Sequence, residues 1–178
     1  MEYYEYPEEE LIRLIKEGKV FVYPTDTIYG LGCNAENKES VNSIKLIKAR
    51  DKEKPLSVIA PSKEWIKENL IIDKIDIDKY LPGPYTLVLW KKDKSFLSHV
   101  SSDTLGVRIP ANEFSSLVQK AGVPFITTSV NLSGEKPAAG IQEIKTEVLR
   151  DVDIVLDGGK LEGTPSTIIM PDGKELKR

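Results

Sequence analysis

Small hydroxyl and cationic side chains recur beside the predicted strand ends of this chain, and chemistry could be built from them. They are Thr25, Thr27, Lys48, Arg50, Lys54, Thr104, Arg108, Thr127, Ser129, Asn131, Ser166 and Thr167. Fixed cations with small donors suit phosphate and carboxylate groups, and open α/β sheets bind ligands at strand ends. We therefore predict an anion-binding cleft that acts by positioning and electrostatic stabilisation, without a covalent nucleophile. Taken singly, each hydroxyl is equally well explained as a turn cap.

The stretch Phe21–Cys33 combines several of these features, and the rest of the chain is organised around it. Its first three residues are an apolar run typical of a strand, which Pro24 ends because proline lacks a backbone donor. The threonines that follow precede Gly30 and Gly32, and glycine lets a backbone approach a ligand closely. The pattern alone favours an ordinary turn, with the rim of a small-molecule site as the alternative.

Several common catalytic motifs are missing from the sequence. It has no cysteine–histidine cluster, no H-E-x-x-H, no G-x-S-x-G and no G-x-G-x-x-G, and we assign no role to its single histidine, His99. Gly158 and Gly163 have the spacing of a phosphate-binding P-loop. Thr164-Pro165 stands where that motif needs Lys-Ser or Lys-Thr, so we reject the match.

Predicted strands and helices alternate, which indicates the α/β class with a mixed sheet in a single domain, residues 1–178. Strands are predicted over 20–23, 56–60, 85–90, 105–109, 125–129, 153–156 and 167–170, and helices after Pro7, Ser62 and Asn112 and over 41–49 and 141–150. Leu11, Leu14 and Ile15 give the first helix one apolar face, and Gly18 suits its end. Residues 71–80 fit either a helix or a strand.

The composition, 40% hydrophobic and 30% charged residues, is that of a globular protein. No apolar run reaches membrane length, and the acidic N-terminus is unlike a signal peptide. Cys33 is the single cysteine, so no internal disulfide can form. We therefore expect a cytoplasmic protein without membrane contact. The net charge of −3 argues against a strongly basic nucleic-acid surface, although lysines and Arg50 cluster over 45–54. Such a run is usually a solvated helix end.

Six segments carry a resemblance to a known family. They are PTDTIYGLG at 24–32, KARDKEKPL at 48–56, LPGPYTLVL at 81–89, TLGVRIP at 104–110, TSVNLSG at 128–134 and PSTII at 165–169. In this order and across most of the chain, they resemble the YrdC-type threonylcarbamoyl-adenylate synthase family, in its short, single-domain form. Each motif is weak alone, and their specificity comes from finding all six together.

The resemblance implies an L-threonylcarbamoyladenylate synthase. Such an enzyme makes threonylcarbamoyl-AMP and pyrophosphate from L-threonine, bicarbonate or CO2, and ATP, with Mg²⁺ carried by the ATP and no metal site on the protein. Its product serves N6-threonylcarbamoyladenosine modification of tRNA, which partner transfer proteins complete. The implied fold is a twisted mixed sheet flanked by helices, with a concave, positively charged groove.

The resemblance also assigns site residues, by motif. The K-x-R and S-x-N pairs of the family fall on the expected catalytic residues Lys48, Arg50, Ser129 and Asn131. ATP binding is expected from Arg50, Lys54, Thr104 and Ser129. Threonine binding is expected from Thr27, Arg108, Thr127 and Ser166, with Arg108 as a partner for the carboxylate.

Two features qualify this assignment. Lys48 and Arg50 would point about 200° apart on a continuing helix, so the helix must end near Ala49 for both to face one site. Some relatives carry a histidine in the strand after K-x-R, which residues 56–60 lack, and longer relatives add a linker and a C-terminal domain that closes the site. This chain stops at Arg178, so we expect its own loops, such as Glu135–Gly140, to cover the cleft.

Two other functions were weighed. The first is a double-stranded RNA or tRNA-binding module without catalysis, which would show a steep salt dependence. The negative net charge and the lack of an RNA-recognition motif argue against it. The second is carbamoyl transfer in hydrogenase maturation, where a related domain lies inside a much longer, cysteine-rich chain.

Overall fold

The computed structural model describes residues 6–48, 54–132 and 135–177. Its α-helices are α1 (Glu8–Lys16), α2 (Lys38–Ile47), α3 (Lys63–Asn69), α4 (Glu113–Ala121) and α5 (Thr146–Leu149). Its strands are β1 (Phe21–Tyr23), β2 (Gly30–Gly32), β3 (Ser57–Ile59), β4 (Leu70–Ile71), β5 (Tyr85–Lys91), β6 (Thr104–Arg108), β7 (Phe125–Ser129), β8 (Ile154–Val155), β9 (Thr167–Ile169) and β10 (Glu175–Leu176). Every helix in this part of the chain is too short or too polar to cross a bilayer.

The strands form one sheet in the order β10-β9-β5-β6-β3-β7-β2-β1-β8, with β4 paired to β5. The pairs β3–β6, β5–β9 and β1–β8 are parallel. The pairs β1–β2, β2–β7, β3–β7, β4–β5, β5–β6 and β9–β10 are antiparallel. The predicted α/β fold with a mixed sheet is therefore confirmed.

One face of the sheet is apolar throughout its centre. Val58 of β3 lies opposite Val107 of β6, which lies opposite Leu87 of β5, and all three side chains are buried. They belong to the larger core cluster, with Val41 and Ile44 of α2. Because side chains alternate along a strand, the neighbouring positions must face the other way.

The opposite face is divided into two parts. Phe21, Tyr23 and Phe125 pack with Phe114 of α4 and with apolar residues of α1 in a second, aromatic cluster. Further along the same face the register brings small or polar residues together: Ser57 lies opposite Gly106 on one side and Thr127 on the other. The face is thus aromatic under α1 and α4 and polar beyond them.

The predicted ends of α1 and α4 are confirmed. Three glutamates occupy the first turn of α1, and Leu11, Leu14 and Ile15 are buried. The Asn112 side chain accepts a hydrogen bond from the Ser115 backbone N–H at 3.3 Å, which satisfies a free donor at the start of α4. Gly122 ends that helix at φ +72°, a backbone conformation that favours glycine.

The glycines of the Phe21–Cys33 stretch form a strand, not a turn. Gly30 and Gly32 belong to β2, which pairs with β1 and β7. A Cβ on Gly32 would lie 1.9 Å from the Ile126 carbonyl oxygen and 2.5 Å from the Phe125 ring. Glycine is required at this position for close packing within the sheet.

The helix predicted over 141–150 is also wrong as a single element. The chain forms a 3₁₀ turn at Ile141–Glu143 and then α5, because Ile144 between them is extended (φ −77°, ψ 126°). The ambiguous 71–80 segment contributes the end of β4 and a 3₁₀ turn at Ile77–Lys79.

Candidate active site

A cleft opens on the polar part of the divided face. Its walls come from the loop after β1, from strands β3, β5, β6 and β7, and from the segment before β9. The lining residues are Thr25, Thr27, Ile28, Tyr29, Gly30, Ser57, Thr86, Arg108, Thr127, Thr128, Ser129, Pro165 and Ser166. Hydroxyl groups and one guanidinium dominate this lining, as expected for a site that binds anionic groups.

Of the two threonines after β1, Thr25 shapes the loop and Thr27 faces the cleft. Thr25 Oγ1 accepts from the backbone N–H groups of Thr27 and Ile28 and donates to the Ile28 carbonyl at 2.7 Å, so it closes the turn. Thr27 Oγ1 lies 3.0 Å from Thr25 Oγ1. Thr27 also lines the cleft, so its hydroxyl is available to a ligand.

Arg108, at the end of β6, is held by Asp26. The Arg108 Nη2 group donates to Asp26 Oδ1 at 2.5 Å, and the two side chains are only 7% and 11% exposed. The other carboxylate oxygen of Asp26 accepts from the Ala111 backbone N–H at 3.0 Å. A buried guanidinium needs such a partner, and its planar N–H groups then point in fixed directions along the cleft wall.

Lys48 follows the last residue of α2 and joins this helix to the end of β7. Its ammonium donates to the backbone oxygens of Ser129 (2.6 Å) and Asn131 (2.8 Å) and to Asn131 Oδ1 (3.1 Å). Ser129 Oγ also donates to Asn131 Oδ1. Only 2% of Lys48 is exposed. The helix ends at Ile47, close to the predicted end, and three of the four expected catalytic residues meet here.

The segment before β9 packs onto the loop after β1. A Cβ on Gly163 would lie 2.0 Å from the Thr27 carbonyl oxygen, so glycine permits this contact. The Tyr29 hydroxyl donates to the Gly159 carbonyl at 2.7 Å and accepts from the Gly158 N–H at 3.0 Å. Ser166 Oγ then lies 2.8 Å from Thr86 Oγ1, and both hydroxyls face the cleft.

Of the expected catalytic and binding residues that the structure describes, four are not part of the cleft lining: Lys48, Asn131, Thr104 and Lys54. Thr104 lies at the opposite end of β6 from Arg108, beside Trp90, and does not line the cleft. Lys54 is exposed. Arg50 lies outside the described residues. The positive charge of the groove therefore stays a prediction, since Arg50 and Lys52 of the expected cluster over 45–54 lie outside the described residues.

Three lining hydroxyl residues were missed by the sequence analysis: Ser57, Thr86 and Thr128. All three belong to strands, where we predicted apolar content, and Ser57 and Thr86 each stand next to a fully buried apolar residue, Val58 and Leu87. A polar residue in an otherwise apolar strand was the signal for them.

Other buried polar groups serve loops away from the cleft. The Lys91 ammonium donates to the carbonyls of Phe96 and Ser101, each at 2.7 Å, and burial lowers its pKa. The ring Nε2 of His99 lies 2.7 Å from the Ala35 carbonyl oxygen. Both contacts fix the polar loop between β5 and β6.

The open mixed sheet and its hydroxyl-lined cleft around a paired arginine define an α/β protein built to bind a small ligand with an anionic group. More specifically, the chain belongs to the Sua5_yciO_yrdC family, whose model carries the description "Telomere recombination" and matches residues 13–177. The family predicted from the six motifs is thereby confirmed.

Similar proteins carry names that describe an activity. "Putative threonylcarbamoyl-AMP synthase" of Methanocaldococcus jannaschii is 38% identical, over 93% of this chain and 84% of its own length. "Threonylcarbamoyl-AMP synthase" of Idiomarina loihiensis is 31% identical over 92% of each chain. The structure of P. abyssi Sua5 complexed with L-threonine matches with a TM-score of 0.75 and 29% identity, over 92% of this chain and 51% of that one. The chain thus spans about half the length of P. abyssi Sua5.

Proposed function

We propose that this protein is an L-threonylcarbamoyladenylate synthase, an enzyme of the nucleotidyltransferase class. The observation that carries the proposal is a guanidinium held by a buried carboxylate among converging hydroxyls, in a chain whose relatives bear that activity in their names. The reaction joins L-threonine, bicarbonate or CO2, and ATP. The threonine nitrogen first combines with bicarbonate or CO2 to form a carbamate. A carbamate oxygen then attacks the α-phosphorus of ATP, and pyrophosphate leaves.

L-threonine is proposed to bind at the Arg108 end of the cleft. The guanidinium faces the carboxylate, and Asp26 keeps it from turning away. Thr27 offers lone pairs that suit the amino group or the hydroxyl of the substrate. Thr127 and Ser166 complete the hydroxyl ring around it.

ATP is proposed to bind toward the K-x-R and S-x-N end. Ser129 lines the cleft there, and Lys48 fixes its backbone. Arg50, Lys54 and Thr104 are proposed as further contacts on the strength of the family resemblance. Asp26 is already committed to Arg108, so the residues of the cleft fit Mg²⁺ that arrives on the triphosphate and keeps its own waters. The ion would neutralise phosphate charge.

The proposed product is consumed by proteins that transfer the threonylcarbamoyl group to tRNA. For this reason we propose that the enzyme works in the cytoplasm. Contact with tRNA or double-stranded RNA is not needed for adenylate formation. We therefore propose that catalysis is the primary function and RNA contact at most a secondary one.

The experiment is pyrophosphate release from ATP and Mg²⁺, with each co-substrate present or omitted. Release that requires both L-threonine and bicarbonate supports the proposal. No release from folded protein under any combination contradicts it, and salt-dependent tRNA binding would then be measured as the sign of the alternative module.

Two variants separate the ends of the cleft. Arg108→Ala should raise the threonine concentration needed for half-maximal rate more than the ATP concentration, because it removes the carboxylate partner. Arg50→Ala should abolish release while the thermal unfolding transition is kept. Equal effects of Arg108→Ala on both substrates would remove its assignment to threonine.

A further inference from the structure

Tyr23 places a buried phenol directly beneath the cleft floor. It is the last residue of β1 and is fully buried, with its ring stacked on Phe114 at a centroid distance of 4.0 Å. Gly30 lies opposite it on β2. A Cβ on Gly30 would lie 2.7 Å from Tyr23 Cζ and 2.9 Å from its hydroxyl oxygen. The hydroxyl end of the ring therefore reaches the cleft wall through the gap that a glycine leaves.

The hydroxyl of Tyr23 has polar neighbours but no satisfied hydrogen bond. It lies over Gly30, which pairs with Ser129 of β7, and Thr127 stands two residues before Ser129 on the same face and lines the cleft. Thr127, Arg108 and Asp26 are near enough to influence the pKa of the phenol. Within the described residues it makes no hydrogen bond of normal geometry. Because an unpaired buried hydroxyl destabilises the folded state, packing alone would favour phenylalanine at this position.

We propose that Tyr23 is a positioning residue for threonine binding: when L-threonine enters the cleft, the Tyr23 hydroxyl donates to Thr127 Oγ1, which turns the Thr127 proton toward the ligand. This inference rests on the proposed function. A threonine hydroxyl has a single proton to donate. Once its oxygen accepts from Tyr23, that proton is directed at an acceptor in the cleft, such as a carboxylate oxygen already drawn there by Arg108.

The surroundings keep Tyr23 in the form that this role requires. Burial raises the pKa of the Tyr23 phenol well above its usual range, so it is protonated at any physiological pH. The aromatic contacts with Phe114 and Phe125 fix the ring plane. The donor therefore has a constant direction, which a solvated hydroxyl would lack.

The test is L-threonine binding by isothermal titration calorimetry to wild type and Tyr23→Phe, with thermal unfolding measured in parallel. We expect the Kd to rise about 3- to 10-fold, the equivalent of one neutral hydrogen bond, with an equal or higher Tm. Tyr80→Phe, at a half-buried tyrosine outside the cleft lining, is the matched control and should change neither quantity.

A double-mutant cycle with Thr127→Val shows whether Tyr23 acts through Thr127. If it does, Tyr23→Phe has no further effect on the Kd once Thr127 has lost its hydroxyl. Additive effects, or an unchanged Kd in Tyr23→Phe, overturn the inference while leaving the proposed function intact. Failure of the wild type to bind L-threonine overturns both.

Discussion

Replacement of Lys48 by methionine tests whether this lysine stabilises the end of β7 beside the cleft or only contacts a ligand. The variant keeps a side chain of similar length and removes the ammonium that binds three oxygens at 2.6–3.1 Å. Each bond to a charged group contributes about 1.5–3 kcal/mol, and burial of the ammonium costs several kcal/mol, which the variant recovers. We expect a net loss of about 2–4 kcal/mol in the free energy of unfolding.

For a chain of this size that loss corresponds to a Tm lower by about 4–16 °C. It would be measured by circular dichroism melting and urea unfolding. Without Lys48 the carbonyls of Ser129 and Asn131 lose their common donor, so the end of β7 should shift. A displacement of about 1 Å at such a site can reduce the rate about 100-fold, which pyrophosphate release would detect.

Lys91→Met is the matched control. Lys91 is also buried and also binds backbone carbonyls, but it fixes the loop between β5 and β6. This variant should lose stability and retain threonine binding. The reasoning about Lys48 would be refuted by a Lys48→Met protein whose Tm equals or exceeds that of wild type, since its bonds to the β7 end would then contribute no net stability.

Two further predictions concern Gly163 and Tyr23. Gly163→Ala should weaken threonine binding and lower the free energy of unfolding by about 1–3 kcal/mol, because the new Cβ would lie 2.0 Å from the Thr27 carbonyl oxygen. Gly140→Ala is the control and should be tolerated, because its Cβ would meet only a side-chain oxygen. Calorimetric titration with L-threonine and thermal melting of both variants test this prediction. The unfolded chain ionises the Tyr23 phenol above pH 10 and the folded chain does not, so the stability of wild type should fall relative to Tyr23→Phe by about 1.4 kcal/mol per pH unit above 10. Urea unfolding of the two proteins at pH 9 and pH 11 measures this, and an equal difference at both pH values would contradict it.

The sequence predicted best those elements that local chemistry determines. The end of α1 at Gly18 and the cap at Asn112 follow from rules that operate over three or four residues, and both are confirmed. The strand β2 was missed because glycine disfavours a strand in isolation. Glycine is needed in this strand because the rings of Tyr23 and Phe125 occupy the space of a side chain, and no local pattern connects these rings to it.

The candidate site was predicted in part for the same reason. Motif spacing identified Arg108, Lys48 and Ser129, which the fold does bring to one region. The contribution of Ser57 and Thr86 depends on strand order and register, which set which residues share a face. Site residues were predicted at strand ends, whereas the cleft lies across a face of the sheet.

Because one face of the sheet has an aromatic part and a polar part, the same strand register is needed for a stable core and for a complete site. Along β7, Phe125 enters the aromatic cluster and Thr127 enters the cleft, while Ile126 between them points into the main core. A slip of one residue in pairing would turn Thr127 toward the apolar core and Ile126 toward the cleft. Molecules with the wrong register should therefore be unstable. Cellular quality control that removes unstable molecules would then also remove molecules with an incomplete site.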